Sequence, residues 1–194
     1  MDAFSYVMTL VAIIVGLGIA HILSGMGQAI HRLRGHGAPI RLEPVYLCWV
    51  GTVFIWLISF WWWEYKFSKI DIAWSLGLYL FIVTYAMFLY LTALILVPSR
   101  MEEMHDSYEY FMSGRKWFFA FMMATNLIDV ADTFLKGTSW GLRPIFVAQV
   151  LVTAIAFVVG ATSNRRSVQV VIAVIVLLYQ FFYNFSELAT LGAW

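Results

Sequence analysis

The stretch ATNLIDVADTFLK, residues 124–136, follows the largely apolar run KWFFAFMM and carries Asn126, Asp129, Asp132 and Lys136. Carboxylates can exchange protons or offer oxygen ligands to hard cations. Inside a membrane span they are costly unless they face a bundle interior or water. At 100° per residue, Thr125, Asn126, Asp129, Asp132, Thr133 and Lys136 fall within an arc of roughly 120°, with Ala124, Leu127, Ile128, Ala131 and Leu135 opposite. Asp132 and Lys136 stand four apart in the favourable order for an internal ion pair. Lys136 also suits snorkelling to the interface. A second stripe, Gln180, Tyr183, Asn184 and Glu187, spans roughly 100° near the end of another apolar run. Glu64 closes a third, in WWWEYK. These residues admit three readings: a proton or cation pathway, a set of interhelical ties that fix packing, or a wet rim. The rim reading is strongest for Glu64 and Glu187, nearest the span ends, and weakest for Asp129.

Other candidates are weaker. Gly16, Ala20 and Ser24 repeat every four residues, with Gln28 continuing the row, which suits close helix contact within the fold or between subunits. His21 borders that row in the opposite half of the bilayer. It could relay protons or ligate a metal or haem, but a bond to a neighbouring group is the simpler role. His31, His36 and His105 fall in loops, so a second deep haem ligand is missing. No cofactor is predicted, although a haem or pigment stays open, and no metal is assigned. No HExxH, GxSxG or GxxxxGK[ST] occurs, so no catalytic residue is named. A membrane-embedded hydrolase built on Asp129, Asp132 and His21 would have its acid and base in different leaflets.

The elements that must position these groups follow from composition. The 194 residues are 62% hydrophobic and 12% charged, with a mean hydropathy of +0.82. Soluble domains carry about twice that charge. Net charge is +1, which offers nothing to nucleic acid, and Cys48 is alone, so no internal disulfide forms. Six stretches reach the roughly 20 residues needed to cross a bilayer: about 4–30, 44–66, 73–97, 116–136, 143–162 and 167–187. Pro44 and Pro144 suit first helical turns. The expected fold is all-α, one transmembrane domain over 1–194 with six spans. Two inverted halves are allowed by count, but no residues match between them. Residues 99–113 predict a separate amphipathic helix on the cytoplasmic surface. Ser99 and Glu102 have capping-box spacing, Met101, Met104, Tyr108, Phe111 and Met112 share a face, and Gly114 stops it. Spans two, four and six run the same way, which puts Glu64, Asp129, Asp132 and Glu187 in one leaflet. Loop charges set the orientation. Arg32, Arg34, Arg41, Arg100, Arg115, Lys116, Arg165 and Arg166 lie on one side, against Lys66, Lys69, Lys136 and Arg143 on the other. Basic loops stay cytoplasmic, so both termini and the four carboxylates are predicted to face outward.

GLGIAHILSG, FWWWE, LVPSR and RKWFF together resemble a group of bacterial multi-pass inner-membrane proteins of this size. The resemblance implies a bacterial inner-membrane location and carries no activity or site residue. The sequence therefore points to a small proton or cation channel or transporter, working as a homo-oligomer, with a carboxylate cavity on the outer side. The alternative is a non-catalytic subunit or assembly factor of a larger membrane complex. Anionic lipid headgroups are expected at the basic rim.

Overall fold

In the computed structural model, described for residues 3–187, the chain is an all-α bundle. Its helices are α1 (Ala3–Leu33), α2 (Pro44–Glu64), α3 (Leu76–Leu96), α4 (Ser107–Lys136), the short α5 (Thr138–Gly141), α6 (Pro144–Thr162) and α7 (Arg166–Glu187). All except α5 belong to segments long and apolar enough to span a bilayer, which makes this a multi-pass membrane protein. Pro44 and Pro144 stand in the first turns of α2 and α6, where a missing N–H costs nothing.

Helices α2, α7, α6, α4 and α3 form a closed ring, and α1 packs in the groove beside α3 and α2. α1 docks through Val7, Val11, Val15, Gly18, Ile22, Gly25 and Ala29. Gly25 is needed because a Cβ there would run into Val97. The Gly16, Ala20 and Ser24 row is not this interface. It is exposed, and a Cβ on Gly16 would meet nothing within 4 Å. Val15, Gly18, Ile22 and Gly25 turn inward instead, and the apolar period of the helix decides the docked face.

The expected surface helix over 99–113 does not form as a separate element. Residues Met101–Glu103 make one 3-10 turn, and α4 then runs unbroken from Ser107 to Lys136. Its cap is Asp106, whose Oδ1 accepts from the N–H groups of Tyr108 (2.8 Å) and Glu109 (3.1 Å). Met101, Met104 and Phe111 are buried against the bundle instead of lying in lipid. Gly114 is passed over, since one glycine costs a long helix only about 1 kcal/mol. Gly137, at φ +149°, ends α4.

Two ends can be distinguished. At the Arg32 end, the buried Arg32 guanidinium donates to the carbonyls of Ala38 (2.7 Å), Pro39 (3.0 Å), Met104 (2.9 Å) and Met101. Arg32 is thus an internal clamp rather than a rim charge for lipid. Beside it, buried Glu43 binds Arg41 (2.7 Å) and Arg166. Above this level the ring is plugged by Trp49, Phe111, Phe118, Phe119 and Phe157, packed edge-on or tilted except that Phe111 stacks on Trp49. Gly160 makes room for the plug, because a Cβ there would strike Phe119 and come within 2.8 Å of Ile172. Hairpin α6–α7 is tied internally by Gln169, which donates to Gly160 and Ser163 carbonyls (both 2.8 Å), and by Tyr179 to Ile145 (3.1 Å).

Candidate functional site

At the opposite, Glu64 end, α2 and α4 terminate beside the last described turn of α7, and the ring interior becomes polar. Two assemblies share it. The first is a buried ion cluster. Lys136 Nζ lies 2.8 Å from Glu64 Oε1 and also binds Asp132 Oδ2, and all three side chains have no exposure. Trp63 Nε1 donates to Asp132 Oδ2 at 2.9 Å. The ammonium also faces the rings of Phe67 (4.6 Å) and Trp63 (4.9 Å), an arrangement that substitutes π density for water. Helix spacing sets the Asp132–Lys136 pair, and the chain ends of α2 and α4 bring in Glu64. Glu64 is therefore not a rim residue, and Lys136 does not snorkel. Each has a partner in the core, which removes the need to reach water. The cluster holds two carboxylates against one ammonium, and Glu64 Oε2 and Asp132 Oδ1 have no hydrogen-bond partner.

The second assembly surrounds Asp129, one turn earlier on α4. Tyr85 of α3 donates to Asp129 Oδ1 at 2.8 Å. The carboxylate borders a cavity of about 30 Å³ on the ring axis. Every ring helix contributes to its lining: Ser59 and Trp63 from α2, Tyr85 from α3, Thr133 from α4, Gln149 from α6, and Gln180, Tyr183 and Asn184 from α7. Such a volume holds about one water. Thr133 Oγ1, Gln149 Oε1 and Asn184 Nδ2 are buried without partners. Between α2 and α7 an outward-facing recess of about 190 Å³ adjoins it, sharing Ser59 and Asn184 and adding Ile58 and Trp62.

The remaining expected site residues separate. Asn126 faces α6, its amide 3.5 Å from Val150 O, outside the cavity lining. Glu187 is at the rim, 2.9 Å from Arg143, whose guanidinium stacks 3.5 Å from Trp140. Asp132 belongs to the ion cluster. Of the α7 stripe, Gln180, Tyr183 and Asn184 reach the cavity. His21 is occupied elsewhere: with Nε2 assigned the proton, it donates to Val97 O at 2.8 Å and secures the end of α3 to α1. Five contributors, Ser59, Trp63, Tyr85, Thr133 and Gln149, escape sequence reasoning, and Ser59 leaves no signal among the apolar residues around it. Tyr85 and Trp63 look like ordinary membrane aromatics. Thr133 lies in the α4 stripe, but an uncharged hydroxyl there marks no role by itself. Gln149 did leave a signal, as the one amide in the apolar run of α6. Among the described residues no three His, Cys, Asp or Glu side chains converge as on a transition-metal ion.

No family model, curated protein or solved structure matches the chain.

Proposed function

We propose that this multi-pass membrane protein passes a proton or small cation through the interior of its helix ring, with Asp129 as the group that takes the charge. The observation that carries this reading is the Asp129 cavity: a half-paired carboxylate on the axis, one water-sized space, and polar side chains from all five ring helices. Excess charge supports it. Among the described residues Lys136 is the cation bonded to this acidic set, so Glu64, Asp129, Asp132 and Lys136 together carry a surplus of two negative charges when all are ionised. A proton or cation would offset part of it. The Trp49–Phe119 plug would close the path at rest, about 10 Å along α2 from Trp56 at the cavity. In this reading the Glu64 end faces the periplasm of a bacterial inner membrane, and the Arg32 end meets the cytoplasm and its anionic lipids.

The test is flux in proteoliposomes. Asp129→Asn keeps shape and loses charge, so proton or cation flux should fall at least about tenfold while the protein remains folded. Undiminished flux would end the transport reading. The second reading, in place of a homo-oligomeric transporter, is a non-catalytic subunit or assembly factor of a larger complex, favoured by the uncovered Gly16, Ala20 and Ser24 face. Mass analysis after mild-detergent purification separates these by showing foreign subunits or copies of the same chain.

A further inference from the structure

Resting on the transport reading of the ring interior, we propose that the Asp129 cavity is a binding site for a dehydrated sodium-sized cation, held by Asp129, Thr133 and Gln149. The threonines supply the first argument. A buried helix hydroxyl ordinarily donates to the carbonyl four residues back. Thr52, Thr92, Thr125 and Thr153 all do so, at 2.8–2.9 Å. Buried Thr133 does not. The carbonyl it would use is that of Asp129, yet its Oγ1 stays unpaired and lines the cavity. The second argument is Gln149. It is 6% exposed, and its Oε1 also has no partner on the same cavity. Buried acceptors are rarely left unmet, because bulk water is not there to replace the lost bond. Two independent side chains, on α4 and α6, thus leave oxygens open beside one carboxylate.

The donor set selects the ligand. It is all oxygen, which suits hard cations over zinc or copper. Only one carboxylate contributes, where calcium sites use several. A cation of single charge therefore matches. The cavity, about the size of one water, favours an ion that sheds its shell and is no larger than sodium. Asp129 Oδ1 is already engaged by Tyr85, which leaves the other oxygen as the charged ligand.

The purified protein decides this. Thermal unfolding in detergent is compared in sodium, lithium, potassium and choline chloride at one ionic strength, with direct binding of radioactive sodium alongside. Sodium should raise the melting temperature and bind saturably, lithium should follow, and potassium and choline should do neither. Thr133→Val and Gln149→Leu should each weaken sodium binding about tenfold or more, with helicity and elution unchanged. If wild-type protein shows no sodium-specific stabilisation or binding, the site is overturned whatever the variants do. The outcome is separable from the transport reading. Loss of proton flux in Asp129→Asn without sodium binding overturns the sodium site and keeps the pathway. Sodium binding together with intact flux in Asp129→Asn supports the site and removes the pathway.

Discussion

Replacing Lys136 by methionine should unfold this protein far more readily than replacing either acid beside it. With all three groups ionised, the Glu64–Lys136–Asp132 cluster has a net charge of −1 and no solvent exposure. At an effective dielectric of about 20, charges 2.8 Å apart attract by roughly 6 kcal/mol, opposed by the desolvation of each. Lys136→Met takes the cluster to −2 and leaves two buried carboxylates without their cation. Removing one partner of a buried pair costs about 3–5 kcal/mol, a large share of a total stability of about 5–15 kcal/mol. Glu64→Gln takes the cluster to zero, keeps the Asp132–Lys136 pair and leaves an amide oxygen to accept from Nζ. Its cost should be near 1 kcal/mol. The triple variant Glu64→Gln, Asp132→Asn, Lys136→Met removes the charges together and should recover most of the loss. Unfolding by SDS in mixed micelles, followed by tryptophan fluorescence, reads all three. Trp63 is a built-in reporter, bonded to Asp132 and edge-on to Trp140. The reasoning is refuted if Lys136→Met costs less than Glu64→Gln. It also fails if the triple variant is no better than the lysine variant, since packing rather than charge would then hold these helices.

The plug gives a second stability contrast. Gly160→Ala should cost about 1–3 kcal/mol by pushing into Phe119 and Ile172, whereas Gly16→Ala should be neutral or stabilising by up to about 1 kcal/mol. A destabilising Gly16→Ala in the same SDS titration would mean that a second chain covers that face. Glu187→Gln should change stability by less than about 1 kcal/mol, because its pair with Arg143 is partly exposed. It should also leave flux intact, and a transport defect there would put Glu187 back in the pathway. An impermeant maleimide should label Lys69→Cys in intact cells and Arg165→Cys only after lysis. The reverse pattern inverts the topology without changing which residues meet.

The spans were legible because hydropathy over about 20 residues is a strong, local signal, and Asp132–Lys136 because helix spacing determines it. The continuity of α4 was not. A stripe of Met, Tyr and Phe reads the same whether it meets lipid or Arg32's loop, and the choice of Asp106 over Ser99 as the cap depends on that tertiary docking. The partners of the acids were equally hidden. Lys136 and Glu64 lie 72 residues apart in sequence, and Tyr85 and Asp129 lie 44 apart. No periodicity within one helix reports on a neighbour across the ring. Glu64 and Glu187 look alike as span-end acids, yet one is fully buried and the other stays at the rim, because only Glu64 has Lys136 within reach.

The α6–α7 hairpin has a mechanical consequence. Its bonds at Gln169, Tyr179 and Arg143–Glu187 run within the pair, while Arg166–Glu43 and Asn164–Arg115 fasten it to the body at the Arg32 end. A tilt of this stiff pair about those fastenings, against its packing on α2 and α4 and the Asn126–Val150 bond, would displace its far end most. Asn184 is about 27 Å along α7 from Arg166, at 1.5 Å per residue. A tilt of about 10° would carry it roughly 5 Å, more than a water diameter, and would widen the seam beside Ile58 and Trp62 by more than it shifted Phe157 at the plug, which lies nearer the fastenings.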